Sequence, residues 1–281
     1  MEKELVKIRK TICIVMTIFL SIVLGFQTGL DPPQINIFAN EKEPTEIKTT
    51  TENLSKPRMA IVIDDFGYDR KGVDEMLDLN CTLTCAVMPH LEFSEADANR
   101  AHEKGHEVIL HMPMEAYGNL PLSWYGPLFI ANIDSKEVAY NKVNEALNSI
   151  PYVNGMNIHM GTALSHNKSL MKEIMRCTKE RNLVFLDSKT IENSVCPEIA
   201  KEINAPFLER DFFLEVGGAS YSTAMKRMAE AIDYCKSNGE CIVIGHIGAV
   251  GQDLTAKAIR DSLPEIEKAG IEIVPLSALK R

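Results

Sequence analysis

Carboxylates and imidazoles fall at the ends of short apolar runs along much of this 281-residue chain. Asp64 and Asp65 close the first run, His90 lies just past the second, His111 ends the third and His159 the fourth. Asp187 ends the fifth, Arg210 and Asp211 follow the sixth, and His246 ends the seventh. A single polar residue at a strand end usually caps a helix or completes a turn. So many, on separate strands, point instead to a shared site. Grouped carboxylates and imidazoles suit a divalent metal and hydrolytic chemistry.

One apparent metal motif is set aside. His102, Glu103 and His106 match the spacing of a zinc-protease helix, which needs both histidines on one face of a continuous helix. Gly105 breaks that helix and leaves His106 to begin the next strand, on the face opposite the proposed site.

The apolar runs are rich in Val and Ile and alternate with amphipathic stretches of helical length, the pattern of parallel βα units. Strands are expected at 59–64, 82–88, 107–111, 155–159, 183–187, 206–210, 241–246 and 271–276. Helices are expected at 69–79, 94–104, 135–149, 167–181, 195–204, 221–238 and 254–269. This strict alternation predicts an α/β fold, a distorted or incomplete (β/α) barrel, with an open doubly wound sheet as the alternative. In such a barrel the C-terminal strand ends meet at one mouth. No glycine fingerprint for a dinucleotide or nucleoside triphosphate is present, so no nucleotide cofactor is expected. Lys+Arg 30 against Asp+Glu 39 gives a net charge of -9, which excludes a broad basic face for nucleic acid.

Residues 1–10 carry basic side chains and precede an uncharged apolar run at 11–26. A basic flank before an apolar run reads as an export signal, either cleaved or kept as a membrane anchor, with the chain after it outside the cytoplasm. That gives three segments: a signal or anchor at 1–30, a flexible Pro-, Thr- and Glu-containing tether at 31–57, and a folded domain at 58–281. Six cysteines fall in the domain without a CxxC pair, and no obligatory disulfide framework is expected.

The strings Ile63-Asp64-Asp65-Phe66-Gly67, Gly105 through Glu115, Asn157 through Thr162, Phe185-Leu186-Asp187-Ser188 and Ile244-Gly245-His246 stand in order on successive strands. Together they resemble the divergent polysaccharide deacetylase family over roughly 58–279. The resemblance implies a distorted (β/α) barrel, a divalent metal (zinc in most members of the wider superfamily), and removal of acetyl groups from amino sugars or other acetylated glycans. By the same resemblance Asp64 matches the general base, Asp65 a metal ligand, His111 the first metal histidine and His246 the general acid.

The second metal histidine of ordinary members falls at Glu115 here. His159 is therefore expected to complete an Asp65–His111–His159 site, with Glu115 a ligand, a support for the ligands or a substrate contact. The arginine motif of ordinary members is not evident. Arg210 is read as its stand-in beside Asp64 and Asp187 as the group holding His246 or a metal ligand, with a structural ion pair as the alternative for both. Trp124 and Tyr125, in the aromatic segment after the third strand, are read as a glycan platform or a lid on the barrel rim, and His90 as a further substrate contact. The expected function is metal-dependent deacetylation, an amide hydrolysis, of an envelope or extracellular polysaccharide such as peptidoglycan. The competing expectation is a non-catalytic envelope protein whose cleft binds glycan or a protein partner.

Overall fold

The structure, a computed structural model, describes residues 56–218 and 220–279, all within the unit Asn53–Arg281. The expected signal or anchor at 1–30 and nearly all of the tether at 31–57 lie outside these residues.

Strand β1 (Arg58–Phe66) lies between β2 (Thr84–Val87) and β8 (Glu240–His246), and β3 (Glu107–Met114), β4 (Val153–Met160), β5 (Val184–Asp187) and β6 (Phe207–Glu209) extend the sheet beyond β2. β7 (Phe212–Phe213) extends it beyond β8, and the short β9 (Glu272–Ile273) pairs with Arg58 and Met59. Every ladder is parallel. The outermost strands β6 and β7 are separated in sequence only by Arg210 and Asp211, so they stand within about 11 Å of each other. Arg210 N donates to Asp187 O of β5, and Asp211 N donates to Ile242 O of β8. One bent segment thus serves both edges, and the sheet curls into an incomplete barrel rather than an open doubly wound sheet.

Helices α1 (Val73–Leu77), α2 (Ser94–Glu103), α3 (Lys136–Ser149), α4 (Lys168–Glu180), α5 (Cys196–Ile203), α6 (Tyr221–Asn238) and α7 (Gly248–Lys268) connect the strands. Ser135, Asn167 and Ser220 start α3, α4 and α6 by accepting from backbone N–H groups one turn on. Strand parity divides the core. Ala60, Val62, Ile109, Ile242 and Ile244 fill the barrel interior, whereas Met59, Ile61, Ile63, Val108, Leu110, Cys241 and Val243 join the layer packed with helical residues such as Ala98, Val143 and Ile259. Extending the interior series by one further alternation reaches Asp64, His111 and His246. The mouth chemistry is therefore the uppermost layer of the barrel filling.

Two expected elements differ. The strand at 271–276 contracts to β9, because Pro275 cannot continue the ladder, and Leu276 and Leu279 join the interior cluster as the barrel floor. There Leu276 N donates to Thr84 Oγ1, which donates to Glu107. The helix at 69–79 shortens to α1, while α7 begins six residues before expectation and breaks at Gln252 (φ 52°, ψ -143°). All six described cysteines are free thiols, and burial pushes the Cys177 thiol up to about 12.

Gly155 of β4 lies against β5, where a Cβ would meet Val184 Cγ1 at 2.7 Å and Val184 O at 2.9 Å. Gly155→Ala should lower unfolding stability by about 1–3 kcal/mol in a urea titration, and an unchanged midpoint would show that this seam has slack.

Candidate active site

Neighbouring strand residues ordinarily face opposite ways, yet Asp64 and Asp65 both line one cavity. A β-bulge accounts for this: β1 advances three residues from Ile63 to Phe66 while β2 advances two, from Cys85 to Val87. Asp65 absorbs the extra residue in the left-handed region at φ 74°, a strained place for a side-chain-bearing residue. Just beyond, Gly67 N donates to the buried Asp97 carboxylate at 3.0 Å, which fixes the exit of the strand.

Asp65, His111 and His159 bring three ligand atoms together. Asp65 Oδ1 lies 3.4 Å from His111 Nε2 and 3.2 Å from His159 Nδ1, and the two ring nitrogens are 3.0 Å apart. The far nitrogen of each ring faces an oxygen acceptor: His111 Nδ1 is 2.7 Å from Asn157 Oδ1, and His159 Nε2 is 3.0 Å from Trp124 O. A proton held on each far nitrogen leaves His111 Nε2 and His159 Nδ1 as bare lone pairs facing each other. Asp65 Oδ1 is buried and has no hydrogen-bond donor of its own. In that tautomeric state two lone pairs and an anionic oxygen converge, a donor set that fits a divalent metal site.

Two titratable groups flank this centre. Asp64, almost fully buried, accepts from Asn157 Nδ2 at 2.8 Å, and burial raises its carboxyl above the ordinary value against the opposing pull of His111 and His246. Across the β1–β8 ladder, Asp64 is in register with His246. His246 Nδ1 lies 2.9 Å from Glu215 Oε2, and its backbone N donates to Glu215 Oε1 at 3.1 Å. Burial works against the imidazolium, yet the Glu215 carboxylate together with Asp65 and Asp64 outweighs it and raises His246 to about 9. His246 is thus a cation at neutral pH that presents its other ring nitrogen as a proton donor.

These groups form the floor of a cavity of about 560 Å³ with apolar walls that include Tyr68, Met88, Trp124, Met160 and Phe213. Trp124 is 53% exposed and reaches this cavity. Tyr125 does not: it is buried, stacked on Phe129, and its hydroxyl accepts from Ala116 N, as a packed lid residue would.

Several expected contacts are replaced. Glu115 is no metal neighbour, since its carboxylate accepts from Asn132 N at 2.6 Å. His90, at φ 57°, faces Glu145 at 3.4 Å outside the cavity. Arg210 does not hydrogen-bond Asp64; its guanidinium donates to Ser188 O and Lys189 O and stacks over Phe213. Asp187 accepts from Lys189 N, and Glu215 occupies the place beside His246 expected for it. His102 stacks on Tyr152, whereas His106 is buried between Leu83 N and Leu77 O, so the apparent zinc-protease pair is split.

Glu215 and Asn157 were not among the sequence-derived candidates. Asn157 precedes His159 by one strand alternation and so shares its face, a signal legible in the sequence. Glu215 sits in an irregular segment after β7, where no periodicity marks it.

A family model described as divergent polysaccharide deacetylase matches residues 61–280. The Uncharacterized protein YibQ of Escherichia coli (strain K12) is 32% identical over 197 residues, 69% of this chain and 60% of that protein. An uncharacterized protein of Haemophilus influenzae (strain ATCC 51907 / DSM 11121 / KW20 / Rd) is 32% identical over 70% of this chain and 69% of its own length. Among solved structures, the uncharacterized protein ATU2773 from Agrobacterium tumefaciens C58 is 25% identical, with a TM-score of 0.74 over 80% of this chain and 89% of that one.

Glu215→Gln should move the titration of His246 in the metal-free protein down from about 9 towards an ordinary imidazole, as read from its ring resonances by NMR. A titration unmoved by the substitution would remove Glu215 as the cause.

Proposed function

The chain belongs to the divergent polysaccharide deacetylase family, and we propose on that premise that it is a metal-dependent hydrolase removing acetyl groups from an envelope or extracellular polysaccharide, with peptidoglycan the first glycan to try. The observation that carries the reading is the convergence of Asp65, His111 and His159 beside a buried carboxylate and an imidazolium. A divalent cation held by those three residues, zinc in this proposal, would supply Lewis acidity towards the acetyl carbonyl oxygen.

The remaining steps belong to the chain. Asp64, made more basic by burial, takes the proton of the attacking water. His246, charged at neutral pH and steadied by Glu215, gives its proton to the departing amine nitrogen. The exposed indole of Trp124 offers its face to the apolar CH surface of a sugar ring at the mouth. The basic residues and apolar run at the N-terminus support an extracytoplasmic location, membrane-anchored or secreted.

One observation favours a second reading, a binding protein that keeps the cleft without turnover. The Arg210 guanidinium is hydrogen-bonded to backbone carbonyls and acts on Asp64 only through its charge, and among the described residues no arginine lines the cavity.

Acetate release from acetylated peptidoglycan, measured with bound zinc, separates the two. The parent should bind zinc and release acetate. Asp65→Ala should lose both, and Asp64→Asn should keep zinc while its turnover falls about 10²–10⁴-fold. Full turnover by the Asp64 variant would remove it as the base, and zinc binding without turnover by the parent would favour the second reading.

A further inference from the structure

Asn157 is fully buried and joins the two halves of the site, with Nδ2 on Asp64 Oδ1 at 2.8 Å and Oδ1 on His111 Nδ1 at 2.7 Å. Its orientation is forced. An ionised carboxylate only accepts hydrogen bonds, so the atom facing Asp64 must be the amide NH₂, which turns the amide oxygen towards His111. That oxygen only accepts, so His111 must carry a proton on Nδ1, and in the neutral ring that binds a cation Nε2 is then the bare nitrogen, aimed at Asp65 and His159. Reversing the amide would put NH₂ against the ring N–H and an oxygen against the carboxylate, breaking both bonds.

We propose that Asn157 is a positioning residue that makes the base and the metal ligand one unit: the negative charge on Asp64, passed through a single amide, sets the tautomer that lets His111 bind a cation. The proposal rests on the hydrolase reading for the part of Asp64, but its metal arm does not depend on turnover. A histidine that ligates through one ring nitrogen is commonly oriented by an acceptor on the other. The unusual feature here is that the acceptor is itself oriented by the catalytic carboxylate. The two jobs of Asn157 can therefore be separated by substitution.

Asn157→Asp keeps an acceptor for His111. It also places a second carboxylate beside Asp64, so the pair must share a proton and Asp64 is withdrawn as a base. Asn157→Leu removes both contacts at similar size. In the full-length protein, zinc affinity would be measured by competition with a chromophoric chelator, the His111 Nδ1–H signal by NMR of the zinc-loaded protein, and kcat and KM on 4-nitrophenyl acetate.

Asn157→Asp should keep near-parental zinc affinity and the Nδ1–H signal while kcat falls on the order of 10–100-fold with little change in KM. Asn157→Leu should lose about 10–100-fold in zinc affinity and lose the signal. Parental zinc affinity and an intact Nδ1–H signal in Asn157→Leu would overturn the proposal. So would an equal loss of zinc affinity in both variants, the result of a merely structural role, and so would a parent that binds no zinc. If no form hydrolyses the ester or releases acetate from acetylated peptidoglycan, the hydrolase reading fails, while the zinc and NMR results still decide the metal arm.

Discussion

Three electron-rich atoms, two imidazole nitrogens and one carboxylate oxygen, face one another about 3 Å apart in a largely buried pocket. Left alone they would repel, and much of the surrounding structure exists to hold them there. The Trp124 carbonyl and the Asn157 amide turn the rings from behind. The bulge in β1 brings Asp65 round to the same side as Asp64, and a rigid parallel barrel keeps their strands in register. A cation would relieve this opposition, and the same arrangement sets the flanks: a buried carboxylate that gains basicity on one side, an imidazolium on the other.

How far this was legible in the sequence depends on what positioned each residue. Where strand parity does the placing, the position is legible: the apolar alternation through Val62, Ile109 and Ile244 leads directly to Asp64, His111 and His246 at the mouth. The curled α/β barrel followed from the same alternation of strands and helices. Polar residues merely near a strand end were less predictable. His90 turns outwards to Glu145, and Arg210 lies in the short link between two edge strands, where backbone carbonyls claim its guanidinium. Glu215 shows the opposite limit: a loop residue gains its importance only when tertiary packing sets it against His246, thirty-one residues away.

Glu115 illustrates how this chain redistributes the centre. The resemblance put it where a metal histidine is expected, yet its carboxylate accepts from the Asn132 amide and ties the end of β3 to the approach to α3. The third candidate ligand comes from β4, the hydrogen-bonded neighbour of β3, with His159 opposite Pro113 in the ladder. Three strands therefore hold the metal candidates, and none of the three residues relies on a mobile loop for its backbone position.

The placement of β1 also bears on how the protein is made. The first strand of the domain lies at the centre of the sheet, but one of its two main partners is β8, 182 residues later between Arg58 and Glu240, and the Arg58 side chain reaches Ala278, 220 residues away. Contacts so distant in sequence close large loops before they yield stabilisation, which slows folding. The barrel has no floor until its last residues are available. A chain emerging from the ribosome therefore stays without its β1–β8 ladder until residues 240–246 have been made, and its earlier strand edges depend on protection from association during that interval.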